Sequence, residues 1–303
     1  MKTATLGCMV RDTTPPQRNP FDGSLAAGDF FVGPAQEEAL ARLEWLVDEQ
    51  QRLGLVVGPN GSGKSHLAAK AVRRLGALGA EAVLLSLRGL RDGDWLELLL
   101  DRLPLDPLSA AEPLRPWQKL ENRLRENTLL ERPTALVFDD LHEATADALA
   151  GIERLVSAAE PRFSRLLVVG TVAEHAASQL AGDLVGRAAV RVDLAPWSEA
   201  ETASFLAWAL LRTGRSAALV SDSAAATLTR LASGVPRTIC QLARLTVVAA
   251  EAEGLDQLDP LTVERVWREL MPASVATQEP RRHEGTEQTP VNPRVRAVRR
   301  LWG

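Results

Sequence analysis

Short, continuous apolar runs recur along the chain: LGLVV at 53–57, AVLLSL at 82–87, TALVF at 134–138, RLLVV at 165–169 and AVRVDL at 189–194. Alternation of apolar and polar residues would mark strands with one wet face, whereas continuous runs mark strands covered on both faces. Between the runs the apolar positions fall at helical spacing. From Ala35 onward, PAQEEALARLEWLVDEQ puts Ala39, Leu43, Leu46 and Val47 on one face, and WLELLLDRL and WQKLENRLREN repeat the period. Five strands joined by helical crossovers predict an α/β fold, a five-stranded parallel sheet sandwiched by helices.

After Pro196 the strand signals stop. SEAETASFLAWALLRTG, SDSAAATLTRLASG, VPRTICQLARLTVVAAEAEG and LDPLTVERVWREL read as four amphipathic helices, each bounded by Gly, Pro, Ser or Asp. The chain therefore divides into an N-terminal arm over 1–34, an α/β core over 35–196, a small all-helical module over 197–271 and a tail over 272–303. The arm is rich in Thr, Pro and Gly and is expected to pack along the body. The tail is dominated by Pro, Gln, Thr, Glu and Arg and is expected to be disordered.

Composition narrows the class. The chain is 46% hydrophobic and 24% charged, the profile of a soluble globular protein. No apolar run approaches the roughly 20 residues that cross a bilayer, and the opening residues do not read as a signal peptide, so a cytoplasmic location is expected. Two cysteines, Cys8 and Cys240, make no disulfide framework, and the four histidines do not pair at metal-ligand spacing. The net charge of −4 hides an asymmetry: residues 281–303 hold six arginines and two glutamates, leaving the remainder at −8. An acidic body is a poor nucleic-acid surface by itself.

The chemistry begins at Gly58-Pro59-Asn60-Gly61-Ser62-Gly63-Lys64-Ser65, which fits G-x-x-x-x-G-K-[ST] at every fixed position. Backbone N–H groups must wrap a polyphosphate closely, which favours glycine, and the helix that follows offers its unpaired amides to the same anion. Lys64 can reach the β- and γ-phosphates, and the Ser65 hydroxyl can coordinate Mg²⁺. The cradle is expected to include His66, the next residue. An apolar strand precedes the motif and a helical pattern follows it, as a nucleoside triphosphate site requires.

TALVF runs into Asp139 and Asp140. An apolar strand ending in acids puts Asp139 near the metal at the carboxyl edge of the sheet. Asp140 stands where a hydrolysing enzyme needs a base to polarise water. Two alternatives stay open: Glu143 as the base, and D-x-x-E as a capping box opening the next helix. The strand AVLLSL intervenes between the cradle strand and TALVF, an order that separates additional-strand ATPases from simple nucleotide kinases.

Further residues point to the same anion. RLLVVGT ends at Thr171, whose hydroxyl could feel a γ-phosphate or cap a helix over VAEHAASQL. Gly234-Val235-Pro236-Arg237 ends one helix and starts another, throwing Arg237 outward where the helix dipole disfavours a cation. A phosphate across the cleft would be its partner; an exposed surface arginine is the alternative. Arg187, just ahead of the fifth strand, could reach a neighbouring subunit's nucleotide, an effect that can reach about 10³-fold or more in rate, or could make an ordinary salt bridge.

GPNGSGKS, LVFDD, VVGT, the Arg187 region and GVPR, in this order and followed by a helical lid, resemble an AAA+ ATPase. The opening NPFDGSLAAGDFFVGPAQEEALARLEWLV and the close GVPRTICQLARLTVVAAEAEGLDQLDPLTVERV are similar to the ExeA (general secretion pathway protein A) branch, itself related to the TniB and MuB transposition ATPases and to origin-recognition ATPases. The match covers about residues 18–270. It implies ATP and Mg²⁺ as ligands, nucleotide-dependent homo-oligomers and an unidentified protein partner. By the same resemblance Gly58, Gly63, Lys64 and Ser65 bind phosphate, Asp139 binds the metal and Arg237 acts as second sensor. Asp140 departs from the glutamate that many such ATPases carry. In the tail, RVRAVRRLW sets Val295, Val298 and Trp302 on one helical side among arginines, a segment suited to an acidic membrane surface, DNA or a partner groove, or else a solubilising end.

Overall fold

The computed structural model describes residues 19–21, 30–105, 114–158, 163–178, 180 and 182–270. Cys8, most of the arm, Met271 and the whole tail over 272–303, with RVRAVRRLW, lie outside the described residues.

Each predicted strand is present. The chain runs α1 (Pro34–Asp48), β1 (Leu53–Gly58), α2 (Lys64–Ala77), β2 (Glu81–Ser86), α3 (Asp94–Arg102), α4 (Pro116–Leu129), β3 (Thr134–Asp139), α5 (Ala146–Ser157), β4 (Leu166–Ala173), α6 (Gly182–Arg187) and β5 (Val190–Asp193). Four further helices follow: α7 (Glu199–Arg212), α8 (Asp222–Leu231), α9 (Pro236–Glu253) and α10 (Pro260–Leu270). The strands form one parallel sheet in the order β2-β3-β4-β1-β5.

Why the apolar runs are continuous is visible in β1. Leu53, Leu55 and Val57 join a cluster with Leu136, Phe138, Trp95, Leu99 and Ile152 on one face of the sheet. Val56 joins Leu40, Leu43, Leu67, Val137 and Val169 on the other. Neighbouring residues of a strand point to opposite faces, and here both faces are covered by helices. Each fully buried leucine contributes roughly 1.5–3 kcal/mol by leaving water.

Two expectations need correction. The strand standing between the cradle strand and the acid strand in space is β4, not AVLLSL. All eight residues of β4 are buried, as a central strand requires, while β2 alternates buried and half-exposed positions at the sheet's edge. In addition, β4 does not stop at Thr171 but continues to Ala173. The residues after it make a short 3₁₀ turn, Glu174–Ala176, so no helix is capped by Thr171.

The four C-terminal helices bury their own cluster, with Phe205, Leu206, Leu210, Leu228, Ile239, Leu242, Val247 and Val263 at its centre. Three of the described arm residues, Asn19, Phe21 and Phe31, bind to this module. Phe21 is buried in its core, and the Asn19 amide donates to the Arg244 carbonyl at 3.1 Å. Phe31 sits edge-on to Trp197 and Phe205 and tilted against Trp208, with ring centres 5.6–5.8 Å apart. Its neighbour Phe30 turns the other way and stacks on His66, 5.8 Å between ring centres and nearly parallel. Among the described residues no helix is long and apolar enough to cross a membrane.

Candidate functional site

The phosphate loop turns between β1 and α2 at the carboxyl end of the sheet. Ser62 N–H closes a tight turn onto the Pro59 carbonyl at 3.2 Å, and Leu67 N–H makes the first helical bond to Gly63 at 2.9 Å. The N–H groups of the first turn of α2 therefore have no partner within the helix. Lys64 is buried, and its ammonium donates to the carbonyls of Gly58 (2.8 Å) and Pro59 (2.9 Å), folding back along the loop. Burial pulls its pKa below the ordinary lysine value, with Asp140 and Asp139 opposing the shift and Arg237 and Arg88 reinforcing it. Ser65 and Asn60 are exposed and Pro59 half-buried.

A phosphate fits this loop on the structure's own terms. Ser62 Oγ is buried without a hydrogen-bond partner, and a buried orphan of that kind is expected at a ligand cradle. A Cβ on Gly58 would stand 2.8 Å from that oxygen and 2.9 Å from the Leu194 carbonyl, so only glycine lets the backbone pass.

The acids come from the end of β3. Asp139 is buried and accepts a 2.5 Å hydrogen bond from the Thr171 hydroxyl, whose own oxygen accepts from Asp140 N–H at 2.9 Å. Thr171 thus bridges both acids from within β4 and is itself fully buried. Asp140 has a left-handed backbone (φ 56°) and begins a 3₁₀ turn, Leu141–Glu143. No capping box forms there: the Asp140 side chain makes no cap bond, and the next α-helix starts at Ala146 under a Thr145 cap. The left-handed Asp140 departs from the extended backbone usual at a side-chain N-cap.

Instead the Asp140 carboxylate pairs with Arg88 (3.1 Å), and Arg88 also pairs with Glu143 (3.0 Å). Sequence reasoning missed Arg88. The signal was the parallel pairing of β2 with β3: Ser86 lies opposite Asp139, so the residues just past Ser86 face those just past Asp139.

The helical module closes the other side. Pro236 occupies the first position of α9, and Arg237, exposed at its first turn, donates its N–H to the Gly61 carbonyl at 3.1 Å. Gly61 has φ +87°, and a Cβ on it would lie 3.0 Å from both Val235 Cγ1 and Arg237 Cβ. The Gly234 carbonyl accepts from Trp197 N–H at 2.7 Å, tying this turn to the start of the module. His66 is half-buried under Phe30, and its pKa is lowered by burial first and the Arg237 charge second, against Asp139. Lys64, His66, Asp139, Asp140, Arg88 and Arg237 therefore share one electrostatic neighbourhood.

Arg187 does not join it. It is exposed at the C-terminal end of α6, and β5 begins opposite Gly54, at the far end of β1 from the loop. Arg191 faces outward on β5 and pairs with Asp193 at 2.8 Å. Cys240 lies within α9, where burial pushes its thiol up to about 11. Among the described residues no group of His, Cys, Asp and Glu could hold a metal ion unaided.

A family profile described as "Type III restriction enzyme, res subunit" matches residues 30–87, from the end of the arm to β2. No curated protein matches the chain. Among solved structures, the fold is similar to the RuvB Holliday junction branch migration motor of Thermotoga maritima, with TM-score 0.56 and 16% identity over 80% of this chain and 71% of that one. It is similar also to ORC2 of Aeropyrum pernix, solved as ADPNP–ADP complexes (TM-score 0.61, 14% identity, 84% and 72% covered). Cdc6p of Pyrobaculum aerophilum gives TM-score 0.59 and 17% identity over 83% and 70%. The architecture shared with these structures is a five-stranded parallel sheet sandwiched by helices, followed by a C-terminal helical module.

Proposed function

We propose that this chain is an ATPase that binds ATP with Mg²⁺ between sheet and helical module and uses hydrolysis to drive assembly of a partner complex, in the manner of the ExeA branch. The observation that carries this reading is the glycine cradle with Lys64 inside it, faced by Asp139 and Asp140 on one side and by Arg237 on the other. Gly58, Pro59, Asn60, Gly61, Ser62, Gly63, Lys64 and Ser65 bind the triphosphate, and His66 borders it. Mg²⁺ bound with the triphosphate neutralises phosphate charge, and Ser65 and Asp139 are the residues to hold it. Asp140 orients and polarises the attacking water once Arg88 releases it. Thr171 fixes the two acids relative to each other. Arg237 reads the phosphate from the module, so that closure depends on the nucleotide. Arg187, remote from its own cradle, serves the nucleotide of a neighbouring copy in a nucleotide-dependent homo-oligomer.

Lys64→Ala tests the cradle. Its loss removes the one buried ammonium in the loop, and ATP binding should disappear in a titration; unchanged affinity refutes the site. Arg187 is tested by mixing: Arg187→Ala subunits should depress the rate of wild-type subunits beyond dilution, and simple dilution counts against a role in trans.

A second reading is a DNA-associated regulator like the transposition ATPases. The likeness of fold to a branch migration motor favours it, while the acidic body opposes it. DNA binding that needs ATP and weakens steeply with salt would decide for this reading. A third, a slow ATP-binding switch, is favoured by the Arg88 pairing of Asp140; near-zero turnover with intact ATP affinity would decide for it.

A further inference from the structure

The backbone ladder between β3 and β4 ends at Phe138 opposite Gly170. Two N–H groups beyond that point are taken by side chains of the opposite segment instead of carbonyls. Asp140 N–H donates to Thr171 Oγ1 at 2.9 Å, and Ala173 N–H donates to His142 Nδ1 at 3.4 Å. Thr171 and Ala173 are two residues apart on β4, on the same side of the strand. Asp140 and His142 are likewise two apart on the acid turn. The sheet is thus continued by two side-chain rungs, and His142 is the second.

We propose that His142 is a positioning residue for the hydrolysis proposed above: by accepting at Nδ1 it holds the end of β4 against the turn that carries Asp140 and Glu143, and keeps the Thr171 hydroxyl between the Asp139 carboxylate and the Asp140 N–H. The inference rests on the ATPase reading and names a residue that acts through others.

The surroundings suit an acceptor. A lone pair at Nδ1 requires a neutral ring with its proton on Nε2. That nitrogen lies 3.8 Å from Glu143 Oε1, and the ring meets His175 edge-on, 6.0 Å between centres, on the turn after β4. The side chain is almost wholly buried. Burial lowers its pKa, the His175 and Lys64 charges add to that, and Asp140 and Glu143 oppose it. The balance favours the neutral form that the rung needs.

Loss of the rung matters because Asp140 holds a left-handed backbone, which a non-glycine residue keeps only under constraint from its neighbours. With the end of β4 free, that turn relaxes and the two carboxylates drift from the reacting atoms. A displacement of about 1 Å at such a site can cost on the order of 10²-fold in rate, and loss of an outer partner of metal-ligand residues typically costs about 10–100-fold.

The test uses the full chain and four proteins. His142→Ala should lower kcat about 10-fold while ATP affinity, read by titration, stays near wild type. His142→Asn places an amide oxygen close to the Nδ1 position and should recover most of the rate. His142→Phe keeps a ring against His175 but cannot accept, and should remain as slow as alanine. An alanine variant turning over at the wild-type rate, or phenylalanine matching asparagine, overturns the proposal while leaving the ATPase reading intact. Should alanine prevent folding, the asparagine and phenylalanine pair decides alone. Absence of ATP binding in the wild type overturns both readings together.

Discussion

Replacing Gly61 by alanine tests whether the helical module rests on the phosphate loop. Two costs arise and they separate. Gly61 has φ +87°, and a left-handed backbone costs an L-residue roughly 1–2 kcal/mol. That strain is present whether the module is open or closed, so it lowers thermal stability. The second cost exists only on closure. The new Cβ meets Val235 Cγ1 and Arg237 Cβ at 3.0 Å, well inside the roughly 3.5–4.0 Å optimum for carbon pairs. Relieving the contact lifts the first turn of α9 and strains the 3.1 Å bond from Arg237 N–H to the Gly61 carbonyl, a bond of about 0.5–1.5 kcal/mol. Carried into affinity, this is about 2- to 13-fold weaker ATP binding. Titration of ATP into wild type, Gly61→Ala, Val235→Ala and the double variant measures it. Because Val235→Ala removes one of the two clashing atoms, the affinity loss from Gly61→Ala should shrink in that background. Wild-type affinity in Gly61→Ala, or a loss that is fully additive in the double variant, refutes a module seated on the loop.

Two further outcomes follow from the acid turn. Asp140→Asn should bind ATP and hold it unhydrolysed, measured as retained nucleotide after gel filtration; wild-type turnover would shift the base to Glu143. Arg88→Ala releases Asp140 and Glu143 together and should raise basal turnover several-fold; since Arg88 is 60% exposed, folding stability should change by less than about 1 kcal/mol. A rate at or below wild type would show that Arg88 does not restrain the acids.

The cradle was legible because eight consecutive residues carry it, and the strands because their apolar runs need no long-range information. The acid turn was not. Asp140 with Glu143 satisfied a capping pattern, yet the left-handed backbone at Asp140 leads into a 3₁₀ turn and leaves both carboxylates to Arg88. Arg88 lies far from either acid in sequence, and only the register of β2 against β3 brings them together. Thr171 read as a strand end because the apolar run before it stops at Val169, but the strand continues through Val172 and Ala173. The divided contacts of Phe30 and Phe31 were not legible, since two adjacent rings in a Pro- and Gly-rich arm have no period to read.

Those two rings have a mechanical consequence. In extended chain, successive side chains face opposite ways, so a single dipeptide grips two bodies: Phe30 holds the ring at the root of α2, and Phe31 fills a socket of Trp197, Phe205 and Trp208. The module cannot swing as a unit without either emptying that socket or tugging the peptide between the rings. Any such pull is delivered to His66, two residues from Lys64, and travels backward equally well, from an occupied loop to the module.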